Sequence, residues 1–147
     1  MPDTVGSILQ HKGHHVWSVT PGESVLQAIR LMADKGIGAL LVIADEKLVG
    51  IISERDYARK VVLEGKSSKE TRVQDIMSSP VFSVGPNHTV DECMRIVTDK
   101  RIRHLPVVQG EKVIGLVSIG DLVRRVISTQ GETIQYLHEY IGVKYSA

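Results

Sequence analysis

Two short stretches of the chain place a serine hydroxyl and a carboxylate three residues apart, where an apolar segment gives way to an amphipathic one. The pairs are Ser53 with Asp56, and Ser118 with Asp121. A carboxylate on the first turn of a helix can accept hydrogen bonds from two adjacent hydroxyls, as acidic residues do for ribose, and the free N–H groups there suit an anion. The same spacing is also a helix-capping signal. Both interpretations, a ribose site and a simple cap, remain open for each pair.

The two pairs belong to a repeat that organises most of the chain. Residues 16–62 align with residues 81–127 at a constant offset of 65 positions and without a gap. The segments before them also correspond, since "VGSIL" at Val5 is similar to "VQDIM" at Val73. The first copy then carries about three extra residues, within "QHKGHH". We interpret the copies as two versions of one supersecondary unit.

Apolar spacing within each copy predicts its elements. Val25, Ala28, Ile29 and Met32 follow a helical period, and "TPGES" and "GPNHT" precede the helices with capping signals. Two short apolar runs split by a polar turn then predict a hairpin, Ala39 to Ala44 with Leu48 to Ser53, and Leu105 to Gln109 with Val113 to Ser118. With a strand at "VWSV" or "VFSV" and a second helix near Arg55 or Gly120, each copy is predicted to be β-α-β-β-α.

These elements predict an α/β fold of the α+β type, in which two repeats pack about a pseudo-two-fold axis because neither can bury its faces alone. We expect repeat 1 in residues 1–66 and repeat 2 in residues 67–128. Residues 129–147 hold Ile134, Leu137 and Ile141 at helical spacing, which predicts a C-terminal helix and tail.

Composition argues against several classes of partner. Eighteen Lys and Arg against seventeen Asp and Glu give a formal charge of +1, so we expect neither nucleic-acid nor membrane-surface binding.

The single cysteine, Cys93, lies on an apolar helix face and is expected to be buried and inert. The histidines of "HKGHH" have no accompanying carboxylate or thiolate cluster, so no metal site is expected. Lacking a secretory signal, the chain is expected in the cytoplasm.

From about Val5 to Ile127 the chain resembles the cystathionine β-synthase (CBS) domain family, whose tandem pair is called a Bateman module. The resemblance rests on the repeat and on the motifs "EKLVGIISERD", "RHLPVV" and "EKVIGLVSIGD" taken together. It implies a non-catalytic sensor that binds adenine nucleotides, such as AMP, ATP or NAD(H), in two clefts between the repeats. It also implies a homodimer, an effector protein that cannot be named, and no catalytic cofactor.

The resemblance also implies residues for each cleft. One cleft would combine Ser53 and Asp56 with Pro80, Val81 and Phe82 around the adenine, and with Arg103 and His104 toward the phosphate. The other would combine Ser118 and Asp121 with His15, Val16, Trp17, Gly38 and Ala39.

The two clefts are not equivalent, because Gly38 and Ala39 stand where the other cleft has Arg103 and His104. We therefore expect the Asp56 cleft to be the better mononucleotide site. In the other cleft, the candidate cations for a phosphate are Arg55, Arg124 and Arg125. Two alternatives stay open. One is a purely structural dimerisation module in which both Ser-x-x-Asp pairs serve as caps, and the other is a nucleotide-hydrolysing enzyme.

Overall fold

The computed structural model describes residues 3–129, so the predicted C-terminal helix lies outside the described residues apart from its first position. The helices are α1 (Val5–Lys12), α2 (Val25–Lys35), α3 (Glu54–Tyr57), α4 (Val73–Ile76), α5 (Val90–Lys100) and α6 (Ile119–Thr129). The strands are β1 (Ser18–Val19), β2 (Ala39–Ala44), β3 (Lys47–Ser53), β4 (His104–Gln109) and β5 (Lys112–Ser118). Helix α3 continues into one π-helical turn, Ala58–Val62. Within the described range, no helix has the length and apolar character needed to cross a membrane.

Both predicted hairpins form, and they have matching registers. Strands β2 and β3 pair antiparallel from Ala39 opposite Ser53, and β4 and β5 pair antiparallel from His104 opposite Ser118. Each hairpin therefore delivers its serine, and the helix that follows, to the same end of its small sheet. The predicted mixed fold with two related repeats is confirmed.

The predicted strand at "VFSV" is wrong in its extent, and a proline explains why. In the first repeat β1 pairs parallel with β2, and the Leu41 N–H donates to the Trp17 carbonyl at 3.1 Å. The residue equivalent to Leu41 is Pro106, which has no N–H to donate to Phe82. The second repeat accordingly keeps a single bridge, between Val84 and Val107.

The short segments before the repeats cross over to the opposite copy. Val5, Ile8 and Leu9 of α1 are buried in the apolar core of the second repeat, beside Leu105 and Val117. In the same way, α4 contributes to the core of the first repeat, where Val73 and Ile76 lie among its buried residues. Each core is therefore built from two distant parts of the chain, which ties the repeats together.

The main helices α2 and α5 begin as predicted but end differently. The Ser24 hydroxyl accepts from the Gln27 N–H at 3.2 Å, and Thr89 forms a reciprocal capping box with Glu92. Helix α2 ends at Gly36 with φ 65°, whereas α5 ends at Arg101 with φ 56°. The second repeat thus places an arginine in a left-handed conformation that glycine adopts more easily.

Candidate functional site

The first Ser-x-x-Asp pair is both a helix cap and part of a cavity wall. Oδ2 of Asp56 accepts from the N–H and the hydroxyl of Ser53, both at 3.0 Å, and the Asp56 N–H donates to Ser53 Oγ at 3.1 Å. This arrangement is the capping box expected from the sequence. The other oxygen of Asp56, Oδ1, lies 3.1 Å from Lys60 Nζ and 3.5 Å from Ser78 Oγ.

A cavity of about 560 Å³ opens between the two repeats at this pair. It is lined by all seven residues that the resemblance assigned to the first cleft: Ser53, Asp56, Pro80, Val81, Phe82, Arg103 and His104. Gly38, which was assigned to the second cleft, lies in this wall as well. The volume falls within the range of small-molecule and cofactor sites.

The charged lining of the cavity is mostly basic. The cationic side chains are Arg55, Arg59, Lys60, Arg101 and Arg103, and the carboxylates are Glu54 and Asp56. Such a surplus favours an anionic ligand. Sequence reasoning missed Arg101, although a signal for it exists: Arg101 replaces the glycine that ends α2 in the other repeat.

Phe82 supplies an open aromatic surface in the cavity. Its side chain is 46% exposed, and Lys100 Nζ lies 4.7 Å from the ring centroid. Because the missing N–H of Pro106 leaves this segment out of the sheet, Phe82 is carried by a connecting segment at the cavity wall. An exposed ring next to basic groups is well suited to stacking against a planar base.

His104 lies in the wall of the cavity, and its pKa is affected by the charges of Asp56 and Asp121. Burial lowers the pKa of His104, and the positive charges of Lys12 and Arg103 lower it further, while Asp121 and Asp56 oppose the shift. The imidazole is therefore neutral at pH 7 and can present a neutral donor or acceptor to a ligand.

The second Ser-x-x-Asp pair repeats the capping geometry but is engaged by cations. Oδ2 of Asp121 accepts from the Ser118 N–H at 2.8 Å and from Lys12 Nζ at 2.6 Å, and Arg124 donates to Oδ1 at 2.7 Å. Burial raises the pKa of Asp121, but the hydrogen bonds from Lys12, Ser118 and Arg124 outweigh it and leave the pKa below its usual value. Both carboxylate oxygens are thus satisfied by the chain itself.

The remaining residues assigned to the second cleft flank the parallel pairing of β1 with β2, in which Ser18 lies opposite Leu41. His15 and Trp17 stack edge-on with centroids 4.3 Å apart, and Lys35 lies over the Trp17 ring at 4.3 Å. Val16, between these two rings, is partly buried. Ala39 is buried at the start of β2. The structure therefore shows a lined cavity at Asp56, and it pairs Asp56 with one cation, Lys60, but Asp121 with two, Lys12 and Arg124.

Comparison with known proteins gives consistent matches. The family model described as "CBS domain" matches residues 5–63 and 73–128. The mitochondrial CBS domain-containing protein CBSX3 of Arabidopsis thaliana is 39% identical, and the alignment covers 97% of this chain and 73% of that protein.

Solved structures show the same architecture. A CBS-domain protein from Burkholderia ambifaria is 53% identical, with a TM-score of 0.83 over 86% of this chain and 96% of that one. The CBS domain pair of protein MJ0100, in complex with 5′-methylthioadenosine and S-adenosyl-L-methionine, has a TM-score of 0.78 and 24% identity, covering 88% of this chain and 99% of that one. At that identity the likeness is one of fold.

Proposed function

Because the chain belongs to the CBS domain family, we propose that it is a regulatory module that binds an adenine nucleotide reversibly in the cavity at Asp56. The ligand class is AMP, ATP or NAD(H), and the module carries out no chemistry on it. The fold accommodates adenosine compounds in MJ0100, but the residues of this cavity are the support for the proposal.

One observation carries the proposal most directly. A partly exposed aromatic ring, the Asp56 carboxylate and a surplus of cations line one cavity. These are the three groups that a nucleotide needs for its base, its ribose hydroxyls and its phosphate. In this proposal Phe82 and Val81 contact the base, Asp56 accepts from the ribose, and Arg101 and Arg103 contact the phosphate.

Binding would act by shifting how the two repeats pack. The cavity wall takes Ser53 and Asp56 from one repeat and Phe82 and Arg103 from the other. A ligand that touches both copies favours one relative arrangement by its difference in affinity for the alternatives. The proposal includes an effector protein that responds to this change. It also includes a homodimer and a location in the cytoplasm, although the Arabidopsis relative is mitochondrial.

Titration calorimetry with AMP, ADP, ATP, NAD⁺, NADH and S-adenosylmethionine tests the proposal. The wild-type chain should bind at least one of them, and Asp56→Asn should weaken that binding by roughly tenfold or more, because a neutral amide replaces the charged acceptor. Asp34→Asn removes an exposed carboxylate on α2 and serves as the matched control. Wild-type protein that binds no member of the panel would contradict the proposal.

A structural dimerisation module is the second candidate, and one observation favours it. Four aliphatic side chains are exposed on or directly after the helical segments that follow the two hairpins: Val62, Leu63, Val123 and Ile127. Val62 and Ile127 are equivalent positions of the two repeats, so each repeat exposes an aliphatic side chain at the same place. Sedimentation of the wild type and of a Leu63→Glu, Ile127→Glu variant distinguishes this role from nucleotide binding, which the variant should keep.

A further inference from the structure

The two repeats close the free edge of their hairpins differently. In the first repeat, Ser78 forms a backbone bridge with Ile51, with N–H to carbonyl distances of 3.1 and 2.8 Å. Leu116 is the repeat equivalent of Ile51, and its carbonyl instead accepts from Lys12 Nζ at 2.8 Å. His14 Nδ1 lies 2.9 Å from the Ile114 carbonyl on the same edge. Side chains from the end of α1 and the residues after it therefore replace a backbone bridge here.

This replacement brings an ammonium group to the second carboxylate. Lys12 belongs to the stretch in which the first copy is longer than the second, so the second copy has no counterpart for it. Its Nζ lies 2.6 Å from Asp121 Oδ2, and only 10% of the Asp121 side chain is exposed. At the first carboxylate, Oδ2 accepts instead from the neutral hydroxyl of Ser53 at 3.0 Å, and the Ser78 hydroxyl lies 3.5 Å from Oδ1.

Each carboxylate also has one cation from its own helix on Oδ1. Lys60 lies 3.1 Å from Oδ1 of Asp56, and Arg124 lies 2.7 Å from Oδ1 of Asp121. Lys12 is thus an additional cation at the second carboxylate, beyond the one that each carboxylate receives from its own helix. A neutral ribose hydroxyl would have to displace a charge-assisted hydrogen bond, which is about twice as strong as a neutral one.

We propose that Lys12 closes the second cleft from within, by placing an ammonium group on Oδ2 of Asp121, the oxygen that at Asp56 accepts only from neutral donors that a ribose hydroxyl can replace. The chain then takes one nucleotide, at Asp56. The ligand class rests on the proposed function above, whereas the closure rests on the contacts of Lys12 with Asp121 and Leu116.

Counting bound nucleotide per chain tests the closure. Equilibrium dialysis with labelled AMP and ATP should give one site in the wild type and two in Lys12→Met, because Asp121 would then keep the contacts that Asp56 has. Adding Asp121→Asn to Lys12→Met should restore one site. Lys69→Met, at an exposed position before α4, is the matched control and should leave one site.

Two results would overturn the closure. One is a wild-type chain that already binds two nucleotides and loses one of them with Asp121→Asn. The other is a Lys12→Met variant with the wild-type stoichiometry. Either result leaves the proposed function standing if binding is lost with Asp56→Asn. Conversely, Lys12→Met combined with Asp56→Asn should still bind one nucleotide, so the closure can hold even if the Asp56 site takes none.

Discussion

Leu9 of α1 packs directly on the backbone of Gly115 in β5, more than a hundred positions further along the chain. A β-carbon at Gly115 would lie 2.5 Å from Leu9 Cδ2, and a β-carbon at the equivalent Gly50 would lie 2.5 Å from Met77 Sδ. Both hairpins therefore use a glycine to admit a side chain from the segment that precedes the other repeat. This packing places Lys12, one turn further along α1, next to Asp121.

Gly115→Ala should destabilise the protein because the added methyl group overlaps Leu9 in a closed core. We expect a loss of about 1–3 kcal/mol in the free energy of unfolding, measured by urea denaturation. Gly22→Ala is the control, because its nearest neighbour, a nitrogen of Arg72, would be 4.0 Å from the new β-carbon. An unchanged midpoint for Gly115→Ala would mean that α1 does not pack as described.

Arg101→Gly should raise stability and weaken ligand binding at the same time. Arg101 ends α5 with φ 56°, a conformation that costs a non-glycine residue about 1–2 kcal/mol. Glycine relieves this cost but removes a cation from the cavity wall. We expect a higher melting temperature without ligand and a lower affinity for AMP by calorimetry. A variant that binds AMP as tightly as the wild type would show that Arg101 does not contact the phosphate.

Arg103→Met should weaken AMP more than adenosine. The side chain supplies a fixed charge at the cavity wall, and a hydrogen bond to a charged group contributes about 1.5–3 kcal/mol. The loss for AMP should thus be roughly ten- to a hundredfold, while adenosine, which has no phosphate, should change little. Calorimetry with both ligands makes the comparison, and equal losses would count against a phosphate contact.

Stability should fall as the pH drops below about 6.5, through His104. The folded-state pKa of His104 lies below the ordinary value of 6.5, first because of burial and then because of Lys12 and Arg103. The unfolded chain therefore binds a proton more readily, so the contribution is complete above pH 6.5 and is lost as the pH falls through the folded-state pKa.

Urea midpoints of the wild type and of His104→Gln between about pH 5 and pH 8 measure this effect. The variant should show a flatter pH dependence over the acidic part of that range. His11→Gln, at an exposed position of α1, should retain the wild-type slope. Identical slopes for the wild type and His104→Gln would remove His104 as the cause.

The local structure can be predicted from the amino-acid sequence. The capping pairs, the amphipathic helices and both hairpins follow from periods and turn residues within a few positions of one another, and these predictions are confirmed. Even the shortened strand before α5 has a local cause, because Pro106 is visible in the sequence as a residue without an N–H. The resemblance further supplied the seven residues that meet at the cavity, since family motifs encode contacts that spacing alone does not.

Which distant segments share a core and a site becomes visible when the chain is folded. Nothing in the spacing of residues 5–12 shows that α1 is buried against the second repeat. The ion pair of Lys12 with Asp121, 109 positions apart, is of the same kind. Apolar surface is buried wherever packing allows, irrespective of distance along the chain, and charges pair with whatever that packing brings near them. The two carboxylates look alike in sequence and differ in the fold for this reason.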